Sequence, residues 1–417
     1  MFLTSLLRIL LTRSFKPFVF EGTYKNSLDF ETLEDLGLYV HIPFCRSLCS
    51  FCPYCKEKYD KGKADSYKIA LLKEIDLACE NMTGKKQATS LYFGGGTPAL
   101  MINDLEDIIC KLKEHFIING GIGVELHPSD ITMDILQKLK AAGVTMVSLG
   151  VQSFNGDCLQ KLGRAPDSFV EKLHLVRDAG FDVVDVDLIF AIPGQTDEIL
   201  AKDIETAFKN GATQISTYPF IDFTFADNEY KPMPEEVKKK MLKNLTGYCR
   251  SINVERTSVW TFAKHDTEKY SSVTRDAFLG FGVSATTLLK DIFKINTFSI
   301  EEYIKRVNGH SLPTSLTLNF TKRQRAVYYL FWSSYSMKIN ADKFKKMIGT
   351  PLSEMYGLEI TFAEKAGILK RNGSTYELTD KAAYIYHYIE QVYTTAYIDK
   401  MWNISRNIAF PDRIVLK

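Results

Sequence analysis

Charge of one sign is nearly absent from this 417-residue chain. Its 52 basic side chains meet 50 acidic ones, leaving a net charge of +2. That balance gives no electrostatic ground for a nucleic-acid partner. Apolar runs long enough to cross a bilayer are missing too. The opening stretch, MFLTSLLRILLTRSFKPFVF, is interrupted by Arg8, Arg13 and Lys16, which leave it too short and too charged to span. Its positive charge lies inside and after the apolar run, whereas a secretory signal would place it before. Two readings stay open for it: a helix packed on the protein's own surface or a partner, or an interfacial helix lying on a membrane. Cysteine is scarce, with eight residues in the whole chain. A secreted disulfide scaffold would be shorter and denser in cysteine. A reducing compartment, the cytoplasm, is therefore expected, peripheral to the membrane if the N-terminal helix lies on lipid. The sequence shows no internal repeat beyond the strand–helix alternation described next, and no low-complexity segment.

What is present begins with core material. Apolar residues make up 45% of the chain, enough for a large catalytic domain and one or two smaller ones. From Leu38 to Phe220 short apolar runs alternate with amphipathic segments. The expected strands are GLYVHI, TSLYFGGG, GIGVELHP, VTMVSLGVQSF, DVVDVDLIFAIPGQ and ATQISTYPF. Helical spacing fills the intervals, and Gly143 and Gly180 sit where left-handed C-caps would close two of the helices. A repeating strand–helix unit predicts an α/β fold: a parallel sheet with right-handed crossovers, closed or partial as a barrel. In such barrels the site lies at the C-terminal ends of the strands. The chain divides into an amphipathic extension at 1–37, the barrel at 38–225, a further extension at 226–315, and a mostly helical C-terminal unit at 316–417. The last contains helices followed by a hairpin signal at Asn372-Gly373, the pattern of a winged helix. DAFLGFGVSATTLL, in the third segment, reads as a glycine-rich turn between apolar runs.

Four of the eight cysteines fall between Cys45 and Cys55, directly after the first expected strand. The scattered Cys79, Cys110, Cys158 and Cys249 read as buried small hydrophobes. For the cluster, a disulfide clasp would close strained, very small loops. Zinc usually takes knuckles well separated in sequence, or cysteine with histidine. The spacing Cys45-x3-Cys49-x2-Cys52 suits three irons of a cubane whose fourth iron stays open. An open iron can hold a ligand by its amino and carboxylate groups.

Cys-x3-Cys-x2-Cys after the first strand resembles the radical S-adenosylmethionine (SAM) superfamily. YVHIPFC, YFGGGTPA, SLGVQSF and DLIFAIPGQT resemble more narrowly the family of oxygen-independent coproporphyrinogen III oxidase with its haem-chaperone and methyltransferase relatives. The likeness runs from Leu38 to Ala285. It implies a partial (β/α)6 barrel, a 4Fe–4S cluster and SAM, with a second SAM in the methyltransferase branch. By resemblance, Cys45, Cys49 and Cys52 hold the cluster and Tyr39 lies near the sulfonium. Phe51 packs near the adenine. Gly94, Gly95, Gly96 and Thr97 match the motif that receives the methionine amino group. Glu125, Gln152, Arg164 and Asp187 match positions that hold the ribose and carboxylate. Cys55 departs from the oxidases' fourth cysteine by one residue and is not expected to bind the cluster. His41 is a structural residue or a neighbour that tunes the cluster. A flavodoxin or ferredoxin donor of low-potential electrons is implied, as is an organic substrate, with a tetrapyrrole first in line.

Three reactions compete. LGFGVSA resembles an oxidase motif and implies oxidative decarboxylation of a porphyrinogen. The shared core also permits a two-SAM methyl transfer. Haem binding without turnover is the third reading, although KHDTEKYSSVTRDAF lacks the chaperones' His-Asn-x-x-Tyr-Trp stretch. A non-catalytic iron–sulfur or zinc protein on the same scaffold is the reading from another class. The tyrosines Tyr384, Tyr388, Tyr393 and Tyr397 form a C-terminal stripe read mainly as core packing.

Overall fold

The computed structural model describes residues 2–23, 28–226, 228–267 and 276–417. Residues 268–275, within the stretch where the chaperone motif would fall, lie outside the described residues. Six strands run parallel in chain order: Leu36–Ile42, Ser90–Gly95, Ile122–Leu126, Met146–Gln152, Val183–Phe190 and Gln214–Pro219. Each hydrogen-bonds its sequence neighbour, so the sheet winds one way, as a strand–helix alternation dictates. Helices Lys61–Cys79, Ile102–His115, Met133–Ala141, Phe169–Asp178 and Asp197–Lys209 fill the crossovers. Asp60, Thr132 and Thr196 cap three of them by accepting a backbone N–H two or three residues inside the helix. Gly143 and Gly180 take φ of 90° and 72° just beyond Met133–Ala141 and Phe169–Asp178, as the sequence predicts.

The barrel stays open. Ala277–Phe281, inside the segment expected as a glycine-rich turn, is instead a seventh parallel strand on the free edge of Leu36–Ile42. The turn itself is confined to Gly282 to Ala285, and the chain then returns antiparallel as Thr286–Leu288. Two more strands follow, and Phe18–Glu21 pairs with Arg413–Leu416 at the far edge of a 14-stranded sheet. The two ends of the chain are thus zipped together. Helix Phe2–Thr12 packs on the protein's own surface, where Leu11 O accepts from the Tyr356 hydroxyl at 3.0 Å. No helix among the described residues is long and apolar enough to cross a membrane.

The C-terminal region is mostly helical and contains a winged-helix arrangement. Helix Lys322–Tyr335, strand Lys338–Asn340, helices Ala341–Ile348 and Leu352–Lys365, and a hairpin of Leu369–Asn372 with Thr375–Leu378 follow in that order. The hairpin turns on Gly373 and Ser374, one residue later than the Asn-Gly signal, because Asn372 already pairs with Thr375. Helix Asp380–Tyr393 docks on the barrel through the Trp260 indole, which donates to His387 Nδ1 at 3.1 Å. Within the tyrosine stripe, Tyr393 packs on Phe331 and Tyr397 on Phe18, while Tyr388 is exposed. Cys79, Cys158 and Cys249 are buried, but Cys110 is exposed. Its helix buries Leu105, Ile108, Ile109 and Leu112, and Cys110 falls off that stripe.

One buried carboxylate ties the seventh strand's turn to the first crossover helix. Glu74 accepts from Gly282 N and Tyr303 Oη, both at 2.6 Å, and from Asn296 Nδ2 at 2.8 Å. Burial pushes its pKa up to about 7 against these three donors. Two turns earlier in the helix, Tyr67 Oη donates to His41 O at 2.8 Å and accepts from Val283 N at 2.9 Å. Glu74→Ala would leave Gly282 N and Tyr303 Oη without an acceptor and Asn296 Nδ2 with Gly282 O alone. We expect it to lower the unfolding free energy in urea by about 3 kcal/mol or more; a loss below about 1 kcal/mol would show the network to be dispensable.

Candidate active site

The parallel strands are buried on both faces except at a few positions. In Leu36–Ile42 the one residue left partly open is Tyr39; in Ser90–Gly95 it is Gly95, and in Ile122–Leu126 it is Glu125. Met146–Gln152 leaves Gly150 and Gln152, Val183–Phe190 leaves Asp187, and Gln214–Pro219 exposes Tyr218. These residues share the inner side of the sheet, and charge interactions link Asp187 with Glu125 and Arg164, and Arg164 with Cys49 and Cys52, so the scattered sequence positions converge. Tyr218 was not anticipated, although the barrel rule points to the C-terminal end of its strand. Asp185 was also missed. It lies two residues before Asp187, hence on the same face of the strand. Ser148 Oγ bridges the two carboxylates, at 3.2 Å from Asp185 and 3.0 Å from Asp187. Burial raises the pKa of both, and for Asp187 the charges of Asp185 and Glu125 add to it.

The cysteine loop is closed at its base. Glu57 N donates to Pro43 O at 2.7 Å and Tyr59 N to Cys45 O at 2.9 Å. His41 Nε2 lies 2.9 Å from Cys55 O, and Nδ1 lies 3.0 Å from the Tyr39 hydroxyl. A carbonyl can only accept, so Nε2 carries the proton and Nδ1 accepts from Tyr39. Burial lowers the His41 pKa to about 4, which keeps the ring neutral. Lys56 Nζ bonds the carbonyls of Cys49 and Cys52 at 2.8 and 2.6 Å from within the loop. Cys45, Cys49 and Cys52 are half-buried and free. The thiol of Cys55 points elsewhere, 3.4 Å from Phe298 O. Phe51 packs beside Leu162, Ile189, Ile192 and Phe220.

The three thiols fit a cluster better than a single ion. Burial pushes the Cys45 pKa up to about 12, with the nearby Cys52 adding to it, and burial raises Cys49 against the pull of Arg164. A thiolate set in so dry a place calls for a bound cation. Sulfurs on one tetrahedral zinc, each bonded at about 2.3 Å, would lie within about 4 Å of one another. Among the described residues, ligand atoms all within 4.8 Å of each other are found on Asp76, Glu114 and His115 at the surface, and the cysteine trio spreads wider. A cubane, with one iron per thiolate, takes that wider spread.

Around the trio stand the other candidates. Thr97 Oγ1 lies 4.0 Å from Cys45 Sγ. Glu125 accepts from Tyr92 Oη and Gly95 N, both at 3.0 Å, and burial raises its pKa to about 7. Gly95 N, Gly96 N and Thr97 N all donate inside the protein, so an ammonium here would meet their carbonyls. Gln152 holds φ of 72°, and its amide lies 3.2 Å from where a Cβ on Gly150 would stand, with Arg164 Nη1 at 3.8 Å from the same point. Arg164 Nη2 is buried without a hydrogen-bond partner, near Cys49, Cys52 and Asp187. An unspent guanidinium N–H next to this cavity suits an anionic group.

Residues 39–207 match the family model described as the Radical SAM superfamily, whose cofactors are a 4Fe–4S cluster and SAM. Within it, two named branches are similar to the chain. The haem chaperone HemW of Bacillus subtilis is 25% identical over 82% of this chain and 94% of its own length. The oxygen-independent coproporphyrinogen III oxidase of Escherichia coli is 28% identical over 68% of each. The solved structure of the Escherichia coli oxidase superposes with a TM-score of 0.76 at 21% identity, covering 93% of this chain and 98% of that one, so the fold is shared.

The glycine run is constrained by the protein's own packing. Gly95 has φ of 112°, and a Cβ there would lie 2.4 Å from the His41 ring. Gly95→Ala is therefore expected to cost about 2 kcal/mol or more in stability. Gly156→Ala, with nothing within 4 Å of its new Cβ, should be neutral or stabilising. Equal unfolding midpoints for the two variants would contradict this account of the cradle.

Proposed function

We propose that the chain is a radical SAM enzyme that cleaves SAM reductively and acts on a tetrapyrrole of the porphyrinogen class by oxidative decarboxylation. The observation that carries the reading is the placement of three half-buried thiols beside Arg164, itself close to Asp187, on the side of the sheet where Tyr39, Glu125 and Gln152 are left partly open. Cys45, Cys49 and Cys52 would hold the cluster. When bound, the cluster and SAM supply a 5′-deoxyadenosyl radical. Arg164 and Gln152 would take the cofactor's carboxylate and ribose, while Glu125 and Asp187 accept from its hydroxyl and amino groups. Tyr39, held as a donor to His41, and Phe51 would border the sulfonium and the adenine. The open faces of Tyr54 and Tyr218 suit a flat, conjugated substrate. In this reading residues 38–225 carry the chemistry, and residues 316–417 cover the mouth. A flavodoxin or ferredoxin would supply the electron in the cytoplasm.

The haem-chaperone branch stands as the second reading, because the relative from Bacillus subtilis is matched over 94% of its length. Anaerobic reconstitution with iron, sulfide and dithionite, then incubation with SAM and coproporphyrinogen III, separates the possibilities. We expect 5′-deoxyadenosine and a product that has lost carboxyl carbon by mass spectrometry. Gain of methyl with S-adenosylhomocysteine would assign methyl transfer instead. Stable haem uptake with no deoxyadenosine would overturn the enzyme in favour of the chaperone.

A further inference from the structure

The last helix of the chain, Asp399–Asn407, lies across the cysteine loop, some 350 residues away in sequence. Asp399 anchors its start by accepting from Thr224 N at 2.9 Å and Thr224 Oγ1 at 3.0 Å, just past the sixth barrel strand. Trp402 stacks on Phe223 with ring planes 15° apart and meets Tyr54 of the loop at 6.0 Å. Arg406 donates to the carbonyl of Pro53, the residue after the third thiol of the trio. Its guanidinium carbon stands 4.5 Å from the Phe225 ring and 5.7 Å from that of Phe298, and its Nε has no hydrogen-bond partner. Immediately after the helix the chain enters strand Arg413–Leu416, pinned to Phe18–Glu21, so the helix is fixed at both ends.

Such placement puts a permanent cation, desolvated between two aromatic faces, one peptide unit from Cys52. Burial opposes its charge, and the sulfurs of Cys55 and Cys52 are the groups that favour it. Reduction adds one negative charge to a cluster, and a nearby cation favours that state. Charge and exposure are the terms by which a protein moves a cluster's potential. Lys56, within the loop, is a second cation beside the trio and bonds the carbonyls of Cys49 and Cys52, so the two charges act on the thiols from opposite elements.

We propose that Arg406 is a positioning residue that sets the reduction potential of the cluster, its positive charge making the cluster easier to reduce while its bond to Pro53 O holds the loop. This rests on the reading of Cys45, Cys49 and Cys52 as cluster ligands. Arg406→Lys keeps the charge, and Arg406→Gln removes it. The test is a dye-mediated redox titration of the anaerobically reconstituted full chain, read by electron paramagnetic resonance, with iron and sulfide counted for each protein. The expected result is equal iron content in all three, a midpoint shifted to more negative potential in R406Q, and the parent midpoint in R406K. An unshifted R406Q overturns the proposal. If R406Q binds no iron, R406K decides: iron bound at the parent midpoint supports the proposal, and any other result for R406K overturns it. A parent protein that takes up no cluster would instead sink the ligand assignment, so the two failures are distinguishable.

Discussion

The hydrogen bond from the His41 ring to the Cys55 carbonyl, at 2.9 Å, is the tie on which the site depends. It joins the strand that enters the cysteine loop to the residue where the loop ends. The backbone pairs between residues 43–45 and 57–59 close the same base. A ring that must donate from one nitrogen accepts on the other, so the tie also fixes the direction of the Tyr39 hydroxyl. The His41 ring fills the space that a side chain on Gly95 would need, which couples the loop to the glycine run of the next strand. One neutral, buried imidazole thus sets the loop, the tyrosine and the cradle against one another.

The rest of the sheet serves this arrangement by winding in one direction. Because consecutive strands are neighbours, each contributes its partly open position to the same side of the sheet. Burial on both faces would otherwise demand apolar residues throughout, so the polar positions that interrupt it stand out. Asp185 and Asp187 show the cost: two carboxylates share one serine, and burial holds both toward the neutral form. The open sheet, extended by antiparallel strands at both edges, lets the zipped chain ends carry a helix back over the loop.

Much of this was legible in the sequence where it is local. Strand–helix alternation gave the parallel order, the glycines after two helices lay in the left-handed conformation, and the cysteine spacing pointed to its loop. Each depends on residues a few positions apart. Cys110 was misjudged because an apolar context alone does not say which side of a helix faces inward. The seventh strand was hidden because its glycines read as a turn, while its partner lies some 240 residues upstream. Tyr218 and Asp185 carry only a faint signal, strand end and period two. Trp402 and Arg406 carried none, because a contact across most of the chain leaves no periodicity behind.

The central claim is that three sulfurs hold a cubane with one open iron facing the cavity. Electron paramagnetic resonance of the dithionite-reduced, reconstituted protein, recorded with and without SAM, tests it most directly. The account predicts about four irons per chain and a reduced-cluster signal whose g values change when SAM is added. A signal indifferent to SAM, or a single iron per chain, would contradict it.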